Sequence, residues 1–536
     1  MTVSTMDAPG IHSDASSSTG RISYPYGEGA PLDLSGLTAD QTAGIVSRWR
    51  DGSFDKFADT LASVGNCAHP IRLTGHSETF DPATGDLVGT FSSANAPLGV
   101  LYRPCGNRRA DVCPSCSRTY ARDTFAMINA GLVGGKTIPA TVADNPLLFA
   151  TFTAPGFGSP SHRHHKDDSR CRPRSRDKGQ RCPHGRPVSC MARHAEDDAI
   201  VGAPLCHECH DTDSAIIWQW FAPELWRRTT IALRRALADH LGVKEKDLRH
   251  LATVQFAKVA EYQARGLVHF HALIRLDGED GPGSPAPIDG HDLAQLVEAS
   301  AGTVTYVAPP IDADDNTERI LKWGKQLDVR VVRDGHRTDD PDGVLTPGQV
   351  AGYLAKYATK DANSIRSAED QRPHLAAMGS RCHRLAMRAI AHYGVNEASN
   401  RLPGQTEKPQ KSAVNPYDLL GKWAHMLGFR GHFSTKSRRY SITLGRLRRA
   451  RARYAELRAA AEHNEEARAV LLDLDELEAW VLADEETTLV VGSWRFEGTG
   501  WTSLGDEALA LAAAARAREY DQWKAQTKNT TNEKGK

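Results

Sequence analysis

A chain of 536 residues with 40% apolar content is long enough for two to four folded units, at a soft prior of about 150 residues each. Its 66 basic and 66 acidic side chains cancel, which excludes a uniformly basic coat for nucleic acid and leaves any polyanion affinity to local patches. No apolar run of ~18 residues marks a membrane span and residues 1–20 show no signal peptide, so a reducing, cytoplasmic setting is expected.

Residues 1–35, rich in Ser, Gly, Pro and Asp, read as a flexible lead. The cysteines come next. Cys105-x7-Cys113-x2-Cys116, opened by Cys67 far upstream, has the composition of a four-thiolate zinc site within a region spanning 36–135. A second group, Cys182, Cys190, Cys206 and Cys209, offers four more sulfurs, with Cys171, His184, His194, His207 and His210 as possible substitutes. Thiolates at these spacings select zinc in closed, structural sites, and about two such ions are expected. Cys382 stands apart as a plain thiol.

Residues 148–153 (LFATFT) read as a strand, followed by a polar insertion at about 160–215. Residues 251–261 are strand-like, Gln263-Ala264-Arg265-Gly266 forms a polar turn, and Leu267 to Leu276 is a second strand, so the pair reads as an antiparallel hairpin. Side chains alternate faces along a strand, which puts His269 and His271 on one side, roughly 6.6 Å apart along the chain, a spacing suited to one metal ion. A turn centred near Ala264 or Arg265 sets Glu261 beside His269 as third ligand, and a one-residue slip would turn it away.

After a Gly/Pro linker at 277–289, a helix opening near His291 and a return to strand at 319–332, Thr346-Pro347-Gly348-Gln349 has the form of a capping box. Ala351, Leu354, Ala355 and Ala358 follow at the spacing of a buried helical stripe. Tyr353, Lys356, Tyr357 and Lys360 fall on the other side, and residues four apart sit about 5–6 Å from each other, so both phenols can address one phosphate while the lysines offset its charge.

A divalent ion on His269, His271 and Glu261, with a phenol activated by a nearby cation, is the equipment for cutting and rejoining a phosphodiester. Two imidazoles and a carboxylate suit Mn²⁺, and Mg²⁺ is favoured by abundance. Further on, Arg430, Lys436, Arg438 and Arg439, interleaved with Phe429, Phe433 and Tyr440, read as DNA-contacting, and residues 444–482 as one or two charged amphipathic helices. Residues 494–501 look like a small hairpin, with an alanine-rich helix from 506 to about 524. No phosphate-cradling Gly-Lys-Ser/Thr loop is present, so no fused helicase is expected.

The run from Glu261 to His271 resembles the His-hydrophobe-His motif of the HUH endonuclease superfamily, and residues 353–360 resemble its two-tyrosine motif. Residues 148–153 are similar to its first motif. From about Cys67 to about Leu444 the chain most resembles rolling-circle replication initiators of actinobacterial plasmids and integrative elements. The resemblance implies an α+β fold: an antiparallel five-stranded nuclease sheet with helices on one side, zinc-binding insertions and a helical C-terminal region. It implies an endonuclease domain over 136–375, with a basic DNA-binding extension at 376–445 and an accessory region at 446–536. It also implies nicking of single-stranded or cruciform origin DNA through a 5′-phosphotyrosine, with Tyr357 aligned to the nucleophile of single-tyrosine relatives and Tyr353 standing where some of them carry a glutamate. Origin DNA is the implied substrate and host helicase and polymerase the implied partners, with no role for a membrane. A two-tyrosine transposase and a non-catalytic zinc-ribbon DNA-binding regulator are the competing readings. The order of histidines before tyrosines disfavours a conjugative relaxase.

Overall fold

The computed structural model describes residues 34–81, 84–158, 177, 179–194, 198–333, 351–352, 354, 372–395, 414–482 and 489–534. In chain order its elements are α1 (Ala39–Arg50), α2 (Phe54–Ser63), β1 (Ile71–Phe80), β2 (Leu87–Ser92), β3 (Leu101–Arg103), α3 (Pro114–Val133), β4 (Leu147–Phe152), α4 (Thr212–His240), β5 (Ala252–Tyr262), β6 (Val268–Gly278) and α5 (Gly290–Thr303). There follow β7 (Thr305–Ala308), β8 (Arg319–Lys322), β9 (Leu327–Arg333), α6 (Pro373–Tyr393), β10 (Ser434–Lys436), α7 (Leu444–Ala460), α8 (Glu465–Leu472), α9 (Leu474–Leu482), β11 (Leu489–Thr499) and α10 (Leu504–Lys534), with short 3-10 turns between. The expected flexible lead, residues 1–35, lies outside the described residues but for its last two.

Two compact units result: residues 122–482, and residues 1–121 together with 483–536. This differs from the linear series of regions expected at 36–135, 136–375, 376–445 and 446–536. The reason is β11, which is one long strand rather than a small hairpin and pairs antiparallel with β1 from Ile71↔Thr499 to Phe80↔Leu489. Thr74 donates to Glu497 across 423 positions of sequence, a separation that leaves no local pattern to read. In this unit β2 and β3 also flank β1. Its core gathers Phe57, Tyr102 and Trp501 around Cys67, Cys113 and Cys116, and a two-pronged Arg48–Asp506 pair at 2.9 and 2.7 Å ties α1 to α10.

Residues 122–482 carry a five-stranded sheet in the order β10-β5-β6-β4-β9, antiparallel throughout. Its middle strand is β6, buried on both faces, which explains why residues 272–276 (ALIRL) show no simple polar alternation. Val268, Phe270, Ala272, Ile274 and Leu276 pack into one core with α4, α5 and α6. Trp226, Trp323, Phe152 and Phe270 meet there mostly edge to face at 5.3–6.2 Å. On the opposite face Leu273 clusters with Leu147, Ala257 and Val259, under Met127, Ile128 and Leu132 of α3 and under Ala351 and Leu354. Helices therefore cover both faces, which corrects the expectation of helices on one side. Apolar residues project from each side of β4, β5 and β6, and each side needs a cover.

Arg275 and Asp277 continue the histidine face of β6 as a wholly buried ion pair, 2.9 and 2.8 Å. Asn145 donates to Asp277 at 2.8 Å, and the remaining guanidinium N–H groups turn to the carbonyls of Gly131 and Tyr440. Within the basic extension expected at 376–445, the described residues contribute to the core. Met378, Cys382, Leu385, Ala386 and Ala389 of α6 are buried, as are Phe429, Phe433 and Tyr440, and β10 supplies an edge strand of the sheet. The interleaved basic and aromatic residues there record alternation between inside and outside. Among the described residues no helix is long and apolar enough to cross a membrane.

Candidate functional site

The β5–β6 hairpin forms with the register that brings the three expected metal ligands together. Glu261 pairs with His269, and the turn closes through Gln263 N–H to Leu267 O at 2.9 Å and Gly266 N–H to Gln263 O at 2.8 Å, with Gly266 at φ +81°. From behind, Gln219 of α4 donates to Gly266 O at 2.8 Å and accepts from Val268 N–H at 2.9 Å, so a buried amide locks the base of the hairpin. A single oxygen, Glu261 Oε2, lies 2.9 Å from His269 Nε2 and 3.0 Å from His271 Nε2. These three ligand atoms lie within 4.8 Å of one another.

The first strand of the sequence reading, β4, runs beside β6 with Thr151 opposite His271. Thr151 Oγ1 is 3.0 Å from His271 Nδ1, and Phe149 stacks on the same imidazole at 5.5 Å and 10°. A hydroxyl on Nδ1 leaves Nε2 to the side where Glu261 points. Burial, opposed by the Glu261 hydrogen bond, lowers the His271 pKa. Burial would raise the Glu261 carboxyl, but hydrogen bonds from His269 and His271 outweigh it and hold the group at about 2. One imidazole biased to its neutral form and a carboxylate held ionised are the protonation states that coordinate a divalent cation.

Tyr353, Lys356, Tyr357 and Lys360 lie outside the described residues, as do residues 346–349 and the stripe positions Ala355 and Ala358. Ala351 and Leu354 are described. Both are helical and fully buried among Ala257, Val259 and Leu273, which project from the same face of the sheet as Glu261, His269 and His271.

The first cysteine group is brought together: Cys67, Cys105, Cys113 and Cys116 lie with their sulfurs within 4.8 Å of one another, a set that could hold a metal ion. Backbone N–H groups of Cys105 and Asn107 point to Cys67 Sγ and Cys105 Sγ at 3.3 and 3.5 Å. Hydrogen bonds from the Cys116 and Cys67 thiols lower the Cys113 pKa. The second group is corrected. It consists of Cys182, His184, Cys206 and Cys209, and Cys190 is elsewhere, 3.2 Å from His194 Nε2. His184 Nδ1 is 3.3 Å from Cys209 Sγ and 3.6 Å from Cys206 Sγ. Partial desolvation, which raises the Cys182 thiol, is outweighed by the amide hydrogens of Arg186 and His184, leaving it at about 7. The turn that joins Cys182 to Arg186 brings the imidazole round, and spacing could not choose it over Cys190. Cys171 lies outside the described residues.

The residues read as DNA-contacting divide. Arg438 and Arg439 are exposed. The Lys436 ammonium is held by Ser441 O at 2.7 Å, and burial lowers its pKa to about 8. Arg430 lies over the Trp220 ring at 4.3 Å. Residues 444–482 form three helices rather than one or two, and Arg448 and Arg451 of α7 turn inward to the buried carboxylate of Asp123.

Residues 53–515 match a family model described as RepSA: Replication initiator protein, pSAM2. A curated replication initiator protein of Streptomyces ambofaciens is 38% identical over 489 residues, covering 90% of this chain and 93% of that relative. No solved structure matches the chain.

Proposed function

The chain belongs to the pSAM2 replication initiator protein family, and from that premise we propose that it starts replication by nicking one strand of origin DNA through a tyrosine, as an HUH-type endonuclease and strand transferase. The observation that carries this reading is Glu261 Oε2 within 3.0 Å of both imidazoles on the central strand. Ala351 and Leu354, which flank Tyr353 in sequence, are buried on the same face.

Glu261, His269 and His271 would hold Mn²⁺ or Mg²⁺, which draws charge from a non-bridging phosphate oxygen and orients the scissile bond. Glu261 carries the formal negative charge of the ligand set, and Thr151 fixes the His271 ring. Tyr357 or Tyr353 attacks phosphorus through its phenolate. The new P–O bond to tyrosine forms as the bond to the 3′ oxygen breaks, and that oxygen takes a proton to become the free 3′-OH. A phenol with a pKa near 10 needs help to ionise, and Lys356 and Lys360 are the cations closest to it in sequence. The second tyrosine repeats the transfer to release a finished strand. The 3′-OH then serves the host polymerase behind a host helicase. The thiol groups, with His184, would hold structural zinc.

A labelled single-stranded origin oligonucleotide and Mn²⁺ test the proposal on a denaturing gel. The expected result is a protein–DNA adduct that His269→Ala and His271→Ala abolish while the circular dichroism stays unchanged. A DNA-binding regulator would retard the oligonucleotide without an adduct, and a transposase would also join it to unrelated DNA.

A further inference from the structure

At the tip of the β5–β6 hairpin, where α4 and α6 begin, lies a cavity of about 360 Å³, lined in part by Arg265, His374, Met378, Arg381 and Arg384 and by Asp211 and Asp213. We infer that this cavity takes one nucleotide, its phosphate held by Arg265 and Arg384 and a sugar hydroxyl or base amino group donating to His374 Nδ1. The volume falls within the range of ordinary small-ligand sites.

The charges of the lining leave a cationic surplus. The Arg265 guanidinium makes three hydrogen bonds, all to neutral oxygens: Gln263 Oε1 at 2.7 Å and the carbonyls of Pro155 and Ala154 at 3.0 Å. These bonds hold the group still without cancelling its charge, and burial lowers its pKa to about 10. Arg381 and Asp213 neutralise each other in a two-pronged pair at 2.5 and 2.6 Å. Asp211 turns Oδ1 to the Ser214 N–H at 2.9 Å as the cap of α4. Three guanidiniums thus face two carboxylates, and the surplus lies with Arg265 and the exposed Arg384. Guanidinium forks of this kind suit a phosphate group.

His374 supplies a contact of a different kind. Its Nε2–H donates to Ala264 O at 2.9 Å, which leaves Nδ1 an acceptor, and that nitrogen is buried with no hydrogen-bond partner among the described residues. A buried acceptor left unmade is costly, and a hydroxyl or amino donor removes the cost. A phosphodiester group alone has no such donor, whereas the sugar and base of a nucleotide do. Met378, 5% exposed, and Ala377 furnish an apolar wall for either. Among the described residues, ligand atoms gather for one metal ion at three places, none of them in this lining, so a cation is not the occupant. Arg265 lies in the turn between Glu261 and His269, at the end of the hairpin that carries the expected metal ligands. That the nucleotide belongs to a DNA strand rests on the proposed nicking; the fit of the cavity to a nucleotide does not.

Fluorescence anisotropy of a labelled single-stranded origin oligonucleotide, with the full chain and no divalent ion, reads strand binding apart from cleavage. Arg384→Gln and His374→Ala should each weaken binding about tenfold, and Arg384→Gln should reduce the slope of log affinity against log salt by about 0.7. Calorimetry with dAMP separates the two sources of a nucleotide. Loss of dAMP binding in the variants with strand affinity unchanged would assign the cavity to a free nucleotide and overturn its place in the strand. Unchanged affinity for both probes in both variants would overturn the inference altogether. Should His374→Ala fail to fold, photocrosslinking of the wild type to a strand carrying 5-iodouracil decides: crosslinks at His374 or Met378 are expected, and crosslinks confined to other residues would contradict it. Because binding is read without metal, unchanged affinity leaves the nicking proposal standing, and failure to form an adduct leaves this one.

Discussion

Thr151 and Lys258 show at the scale of single residues how the two faces of the sheet differ. The Thr151 hydroxyl reaches His271 Nδ1 at 3.0 Å, and groups in this supporting position typically change metal affinity by about 10–100-fold. Thr151→Val keeps the shape and removes the hydroxyl, so Mn²⁺ binding followed by electron paramagnetic resonance should weaken by about tenfold or more; unchanged affinity would deny the hydroxyl a role. Lys258 faces the other way, its ammonium 3.8 Å from the Phe270 ring, and burial lowers its pKa from 10.5 to about 7. Between those values the unfolded chain binds a proton that the folded chain does not, so stability should rise with pH from about 7 towards 10, with the full penalty present below 7. Lys258→Met should flatten that rise and add about 2 kcal/mol at pH 7, less than the pKa shift alone implies because the aromatic ring partly compensates the charge. Urea midpoints at pH 7 and 9.5 read both effects, and an equal pH response in variant and wild type would show that Lys258 is not the group titrating.

Among the elements, the hairpin was the most legible. Its turn residues and the His-x-His alternation set both strands and a register that holds to the residue, because slipping by one would reverse every side chain. Thr346, Pro347 and Gln349 lie outside the described residues, as do the tyrosines, and of the stripe expected after them Ala351 and Leu354 are helical and buried. The second cysteine group was legible in type and not in membership: His184 and Cys190 are both reachable from Cys182, and the backbone turn chose between them. Arg275 and Asp277 gave no signal of burial, since paired charges look like surface residues until packing encloses them. The crossing of α3 over the loop after β10 makes a sharp test. Glycine within a helix usually gains stability on becoming alanine, by about 1 kcal/mol. At Gly131 the added Cβ would lie 2.3 Å from the Tyr440 ring, which is fully buried. Gly131→Ala should therefore destabilise by about 1–3 kcal/mol, read as a lower thermal midpoint; a higher midpoint would show that the ring moves aside freely.

For the whole molecule, the α+β class and the antiparallel sheet with histidines at its centre could be anticipated, whereas the division into units could not. Pairing β1 with β11 depends on residues over 400 positions apart, and two strands carry no label naming each other. The pairing has a chemical consequence. Trp501 donates to Cys67 O at 2.9 Å and stacks on Tyr102, so the segment after β11 helps to enclose the first cysteine group. A chain ending at Leu482 should lose the ion of that group while keeping the metal affinity of Glu261, His269 and His271, as elemental analysis and Mn²⁺ titration would report; retention of every zinc ion would show that the group closes unaided.

The account rests on one meeting of a cation site and a phenol, and peptide mapping of the trapped adduct tests it most directly. After reaction with a labelled origin oligonucleotide and Mn²⁺ and digestion of protein and DNA, mass spectrometry should find the residual nucleotide phosphate on Tyr357 or Tyr353, with none in the Tyr353→Phe/Tyr357→Phe double variant. A nucleotide bound to any other residue, or an adduct that survives in the double variant, would contradict it.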